Sequence, residues 1–206
     1  MPKVNKREVK KEENLESLES KTASMPSATY FSAEFAPERY LVYSRFNGQD
    51  WIHVREYVMT GEHKYPTKKG ASFTPARLRA LRRMIDEIDE QLKQQNANAS
   101  GKAEQGSYKT HLGAGIYAVV DDKFNGVDLR RYWVPPEQSR PVPTKNGIYL
   151  PSSQWKLLKE KLNELLATHP ELYLTEECLH DNQLGMEDCR ECLPFGWIVK
   201  SFEGFS

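Results

Sequence analysis

Four residues near the C-terminus have the chemistry of zinc ligands. Cys178, His180, Cys189 and Cys192 supply thiolates and an imidazole, the donor set of a structural Cys3His site. The spacing of Cys189 and Cys192 lets two thiolates bind one metal ion. The spacing of Cys178 and His180, with a single residue between them, is shorter than usual for zinc ligands. The competing interpretation is that the three cysteines are reduced thiols in a loop. Structural zinc is therefore a hypothesis for this tail, and no other cofactor is expected to be required.

A second group of residues, in the stretch 50–59, has the chemistry of a nucleic-acid contact. Polar and aromatic side chains alternate there with aliphatic ones, which in a β-strand places the two sets on opposite faces. The set predicted to face the core is Ile52, Val54 and Val58, and the opposite set is Trp51, His53, Arg55 and Tyr57. Aromatic faces for bases and positive charge for phosphates are what single-strand binding requires. For His53, a polar role in the sheet is expected rather than a catalytic one.

The elements that position these residues occur twice. Residues 51–57 lead to a basic, turn-rich segment closing on Lys68-Lys69-Gly70 and then to a helix begun by Thr74-Pro75. About seventy-five residues later, residues 127–133 lead to 145–150 and to a second helix. The helices carry apolar stripes at helical spacing, namely Leu78, Leu81, Ile85, Ile88 and Leu92, then Trp155, Leu158, Leu162 and Leu165. Each repeat is therefore a set of short strands followed by one helix.

Turn signals and composition set the predicted boundaries. Asn47-Gly48 and Asn125-Gly126 predict tight turns between strands. After Gly61 the turns predict two more short strands ending at Phe73. The predicted segments are a disordered tail at 1–36, a first repeat at 37–95, a flexible linker at 96–113, a second repeat at 114–172 and a Cys/His-containing tail at 173–206.

Composition excludes several classes of protein. The 206 residues have a formal net charge of zero, so any basic site must be local. We expect a soluble, intracellular protein, since there is no apolar run for a membrane span, no signal-peptide core and no cysteine framework typical of secretion. Phosphate-binding loops, dinucleotide fingerprints and Ser/His/Asp motifs are absent from the sequence. The carboxylates at 86–90 are expected to form a solvated helix face, so the chain is predicted not to be an enzyme.

An Arg-Glu-Tyr after an alternating strand, a basic loop closing on Lys-Lys-Gly, a short strand and a helix resemble the single-stranded-DNA-binding domain of the transcriptional positive cofactor 4 family. The second repeat is similar, with Arg130-Arg131-Tyr132-Trp133 and Gly147-Ile148-Tyr149-Leu150. The resemblance implies an α+β fold: a curved four-stranded antiparallel sheet followed by one helix, in two tandem copies. Two tethered copies imply an intramolecular pseudo-dimer, although pairing between chains as a homodimer is also open.

The resemblance also implies which residues contact nucleic acid. The implied contacts in the first repeat are Arg39, Arg45, Phe46, Arg55, Lys64, Lys68 and Lys69, and those in the second are Lys123, Phe124, Arg130, Trp133, Arg140 and Lys145. The family's tryptophan is matched by Trp133 but is Val58 in the first repeat. The first repeat has the stronger set of phosphate contacts and the second the stronger set of stacking residues.

The function implied is binding of single-stranded or melted DNA in a sheet groove, in support of transcription in the nucleus with proteins of the transcription machinery as partners and no membrane. The alternative is a protein-interaction module that kept the fold and lost nucleic-acid binding. Zero net charge and the absence of lysines at the first hairpin, where Asn47 and Gln49 stand, favour that alternative.

Overall fold

The computed structural model describes residues 28–61, 63–98, 107–121, 124–133, 135 and 141–175. Within these ranges the chain forms two antiparallel four-stranded sheets, each followed by a helix, which confirms the predicted α+β class. The first unit comprises β1 (Ala28–Ala36), β2 (Arg39–Phe46), β3 (Gln49–Thr60), β4 (His63–Phe73) and α1 (Pro75–Asn98). The second unit comprises β5 (Tyr108–Gly113), β6 (Ile116–Val120), β7 (Gly126–Trp133), β8 (Val142–Pro151) and α2 (Ser152–Thr168), with a 3-10 turn at Pro170–Tyr173.

Each sheet contains one strand that the sequence analysis placed elsewhere. Residues 28–36 were predicted as part of a disordered tail, yet they form β1, with Phe31 packed on the core and Phe35 buried in it. Residues 108–113 were predicted as linker, yet they form β5, which buries Leu112. Both predictions are wrong for these residues because pairing with the neighbouring strand and packing on the core, which the local sequence does not show, stabilise them as strands.

The two short strands predicted after Gly61 are a single strand, β4. Its register against β3 shifts between Arg55 and Tyr57. The turn predicted at 68–70 is therefore not formed, and these residues lie at a bulge-like irregularity within β4. The Asn47-Gly48 hairpin is confirmed, with φ of 50° and 76° at its two residues.

The alternation predicted for β3 is correct over most of its length. Ile52 and Val54 are fully buried. Val58 was predicted to face the core but is 40% exposed. It lies in the end of β3 that pairs with the start of β4, where the neighbouring Met59 is exposed as well.

The two units share one apolar core. The predicted stripes of both helices are buried in a single cluster, with Ile85 packed against its edge. Helix α1 contacts β5 and β6 of the second unit, and α2 contacts β1 and β2 of the first. Each helix therefore covers part of the other unit's sheet, and the units pair within the chain. No helix in the described ranges has both the length and the apolarity to cross a membrane.

Candidate nucleic-acid interface

On the sheet face opposite the core, the first unit carries a pair of tyrosines beneath a lysine. Tyr40 on β2 and Tyr57 on β3 meet edge to face, with ring centroids 5.3 Å apart. The Lys64 ammonium lies 3.6 Å from the Tyr40 centroid and 5.1 Å from that of Tyr57, and it is 3.4 Å from the Ser32 hydroxyl oxygen. Burial lowers the pKa of Lys64. The result is an aromatic surface with a cation held on it.

The second unit has the same arrangement, built from a different strand. Tyr117 on β6 and Tyr132 on β7 have ring centroids 5.0 Å apart. The Lys109 ammonium is 3.6 Å from the Tyr132 centroid and 4.2 Å from that of Tyr117. Lys64 reaches its tyrosines from β4, whereas Lys109 reaches its own from β5. Both sheets therefore carry a lysine-capped tyrosine pair although the lysines are not at equivalent positions.

Most residues of these pairs were not predicted from the sequence. Tyr57 was predicted on the polar face of β3 and Lys64 as a phosphate contact, but Tyr40, Tyr117 and Lys109 were not proposed. A signal was present: a tyrosine near the start of β2 and of β6 is directly opposite the arginine of the next strand. Lys109 could not be found in this way because its strand was assigned to the linker.

Arg55 lies next to the first tyrosine pair and is partnered by neutral groups. Its guanidinium donates to the Thr67 carbonyl oxygen at 2.6 Å and to the Ser72 hydroxyl at 3.0 Å. Its aliphatic stem crosses Gly70, its register partner on β4. Among the described residues, no carboxylate forms an ion pair with Arg55. Burial lowers the pKa of Arg55, so this half-buried cation would be stabilised by an anion.

His53 stands beside Arg55 on the same face of β3. Its Nδ1 is 2.7 Å from the Ser72 hydroxyl oxygen, which Arg55 also contacts. Burial, and next the charge of Arg55, lower the pKa of His53 to about 4. His53 is therefore neutral near pH 7 and adds no charge to the face.

Arg130 holds the matching position in the second unit but is neutralised. Its guanidinium makes a two-pronged contact with Asp128, at 2.7 and 3.1 Å, and donates to the Thr144 carbonyl at 2.8 Å. The hydrogen bond to Asp128 raises the pKa of Arg130. The two arginines share their strand position and their glycine partner, Gly70 or Gly147, yet only Arg130 has its charge compensated.

Three other predicted basic contacts are occupied by protein groups. The Arg39 guanidinium bonds to Gln154 and, at 2.8 Å, to the Tyr149 carbonyl, both in the second unit. Arg45 is paired with Asp50 at 2.8 Å across the first hairpin, and Lys69 with Glu56 at 3.0 Å. In contrast, Lys68 and Lys145 are exposed. Lys123 and Arg140 lie outside the described residues, as do the proposed zinc ligands Cys178, His180, Cys189 and Cys192.

The three predicted stacking residues are dispersed. Phe46 is half-buried at the end of β2. Phe124 is 60% exposed, with its ring centroid 5.9 Å from that of Tyr149, and Trp133 is 49% exposed. Phe124 precedes β7 and Trp133 ends it, a separation of roughly 30 Å in extended chain. At that separation they cannot stack on the same base.

Residues 36–84 match the family model described as Transcriptional Coactivator p15 (PC4). The matched range runs from the end of β1 into α1 and includes Tyr40, Arg55, Tyr57 and Lys64. The match supports a PC4 relationship for the first unit, and one copy of the family is detected. No curated protein and no solved structure matches the chain.

Proposed function

We propose that this chain binds single-stranded or melted DNA across the outer faces of its two sheets. The observation that carries the proposal is the lysine-capped tyrosine pair beside an arginine, present in both units. A base can stack on a tyrosine ring because every base has a π face, and a cation held at that ring can bind the adjoining phosphate. Cations spaced along a face with aromatic rings between them make a surface for an extended strand.

The biological setting rests on the PC4 match at residues 36–84. On that basis the chain is proposed to be a non-enzymatic transcription coactivator that acts in the nucleus and contacts the transcription machinery. The second unit is proposed to be a diverged copy of the first. Its support is the repeated register: Tyr40 opposite Arg55 and Tyr117 opposite Arg130. The two copies would then supply one continuous binding surface from a single chain.

A fluorescence anisotropy titration tests this function. A single-stranded oligonucleotide of about twenty nucleotides should bind, and the logarithm of its association constant should fall linearly with the logarithm of the salt concentration. The expected slope is about −0.7 for each phosphate contact. Y57L and Y132L should each weaken binding about tenfold, as expected for loss of one stacking ring. Y173L, which alters an exposed ring on the 3-10 turn, is the matched control. Absence of binding at low salt in the wild-type protein would refute the function.

A protein-interaction module is the second candidate. The specific observation in its favour is that Arg39, Arg45 and Arg130 already bond to protein groups. Cations bonded to protein groups are less available to phosphates, so a chain with this pairing would keep its fold and bind a protein on the same face instead of a nucleic-acid strand. The same titration separates the two, because this candidate predicts no salt-dependent oligonucleotide binding.

A further inference from the structure

A cleft lies at what we call the first junction, where β4 of the first unit meets β7 and β8 of the second. The second junction is the equivalent place where Arg39 of the first unit contacts Tyr149 and Gln154 of the second. The volume of the cleft is about 250 Å³. Residues of both units line it: Arg55, Lys68 and Ser72 from the first, Arg131 and Asn146 from the second, with Gly70, Ala71 and Ile116 completing the wall. Among the described residues that line it, Arg55, Lys68 and Arg131 are cationic and none is acidic.

Backbone register identifies the corresponding positions at the other junction. Arg55 pairs with Gly70 on β4, and Arg130 pairs with Gly147 on β8. The residue after each arginine is then Glu56 in the first unit and Arg131 in the second. Their partners on the neighbouring strands are Arg39 and Ile116, respectively. The two junctions therefore differ in charge at the same structural positions.

The second junction satisfies its charges internally. Arg39 stands where the first junction has Ile116, and its guanidinium lies against the Tyr149 carbonyl. Glu56 accepts from Lys69, and Asp128 neutralises Arg130. An anion entering there would meet carboxylates and cations that are already paired, so it would gain little.

The first junction has Arg131 and His53 at the positions where the second has the carboxylates Glu56 and Asp128. Arg55 is half-buried and bonded to neutral groups, so a bound anion would offset its desolvation. Lys68 is exposed at the mouth, and the second unit adds Arg131. The hydroxyl of Ser72 and the amide of Asn146 are further polar groups lining the site.

We propose that the cleft of Arg55, Lys68, Ser72, Arg131 and Asn146 binds one phosphate group, so that each chain anchors a nucleic-acid strand at one junction only. This inference rests on the proposed function and makes it asymmetric. The second unit completes the phosphate site of the first, but the first unit does not complete an equivalent site for the second. A strand bound in this way contacts the two tyrosine pairs in a fixed order relative to the anchored phosphate.

The first test uses oligonucleotide affinity at several salt concentrations. K68Q and R131Q should each weaken binding about tenfold and reduce the salt slope by about one phosphate contact, because each removes one cation from the cleft. K145Q, the register equivalent of Lys68 at the other junction, should have a smaller effect. K156Q, which removes an exposed lysine on α2, should have none. Equal affinity and slope in wild type, K68Q and R131Q would overturn the cleft while leaving single-strand binding intact.

The second test uses inorganic phosphate and does not depend on nucleic acid. Amide chemical shifts of Gly70, Ser72 and Asn146 should move on phosphate titration in the wild-type protein and stay unchanged in K68Q. Shifts without any oligonucleotide binding would support the cleft as a site for free phosphate and refute the proposed function. Absence of these shifts together with unaltered oligonucleotide binding by K68Q would overturn the site. Comparing oligonucleotides with and without a 5′-phosphate separates a terminal from an internucleotide phosphate.

Discussion

The indole Nε1 of Trp155 donates a hydrogen bond of 2.7 Å to Asp89, which joins α2 of the second unit to α1 of the first. Lys159 forms an ion pair with the same carboxylate. Trp155 is almost fully buried, at 1% exposure, so its N–H has little access to water. Asp89 was predicted to lie on a solvated helix face, and that prediction is wrong. The carboxylate is an acceptor for two side chains of the other unit.

Asp89→Ala should destabilise the chain by about 1–3 kcal/mol because it leaves the buried indole N–H without an acceptor and Lys159 without its partner. Asp89→Asn keeps a carbonyl acceptor for Trp155 and should cost less. Urea unfolding measures both. Asp86→Ala, an exposed carboxylate on the same helix, should change stability by less than about 0.5 kcal/mol. Equal stabilities for the Asp89 and Asp86 variants would show that the contact between the helices contributes nothing.

Gly70→Ala should displace Arg55. A Cβ at Gly70 would lie 2.8 Å from the Arg55 Cβ and 2.9 Å from the Val54 carbonyl oxygen, closer than normal packing allows. We expect a loss of about 1–3 kcal/mol in stability and weaker oligonucleotide binding. Thermal unfolding and anisotropy report the two effects.

The control for that substitution is Gly61→Asn. Gly61 has a φ of 62°, which asparagine tolerates, and nothing lies within 4 Å of its added Cβ. Wild-type stability in Gly70→Ala would mean that the β4 backbone can move away from Arg55.

Asp128→Asn should strengthen oligonucleotide binding. The wild-type carboxylate neutralises Arg130, so the neutral amide leaves a net positive charge on the face. We expect an affinity gain of several-fold and a salt slope larger by up to about one phosphate contact. Asp86→Asn makes the same charge change on the exposed side of α1 and should alter affinity little. A fall in affinity on Asp128→Asn would indicate that the pair positions Arg130 rather than masking it.

Stability should fall between pH 6.5 and 4 through His53. Its pKa in the folded chain, about 4, is below the ordinary value of about 6.5, so protons bind the unfolded chain more readily in this window. The stabilisation present above pH 6.5 is lost toward pH 4, by at most about 1.4 kcal/mol per pH unit. Urea unfolding at pH 7 and pH 5 should show a smaller difference for His53→Asn, whose amide can still contact Ser72. An identical difference in both proteins would assign the pH dependence to other groups.

Zinc in the C-terminal tail remains a prediction from the sequence. Purified protein should contain about one zinc per chain, bound by Cys178, His180, Cys189 and Cys192. Cys189→Ala should lose the metal, as measured by elemental analysis, whereas His63→Ala, an exposed histidine on β4, should retain it. Metal-free wild-type protein with an unchanged fold would remove the site.

The sequence determined the parts of this protein that depend on local pattern. Alternation placed Arg55 opposite the core, Asn47-Gly48 fixed a hairpin, and helical spacing identified the stripe that includes Trp155. These features follow from the periods of strands and helices and from backbone conformations that few residues adopt. Local pattern did not identify β1 and β5, because their pairing with a neighbouring strand and their packing on the shared core are not visible in their own residues.

Which charges are available for binding depends on tertiary contacts that the sequence does not show. Nothing in the sequence distinguishes Arg39 and Asp89 from solvent-exposed charged residues, yet each forms a hydrogen bond to the second unit. Arg55 and Arg130 occupy equivalent strand positions, but Asp128 compensates only the second. The state of a cation depends on the groups that the fold brings within a few ångströms of it, and these groups come from distant parts of the chain.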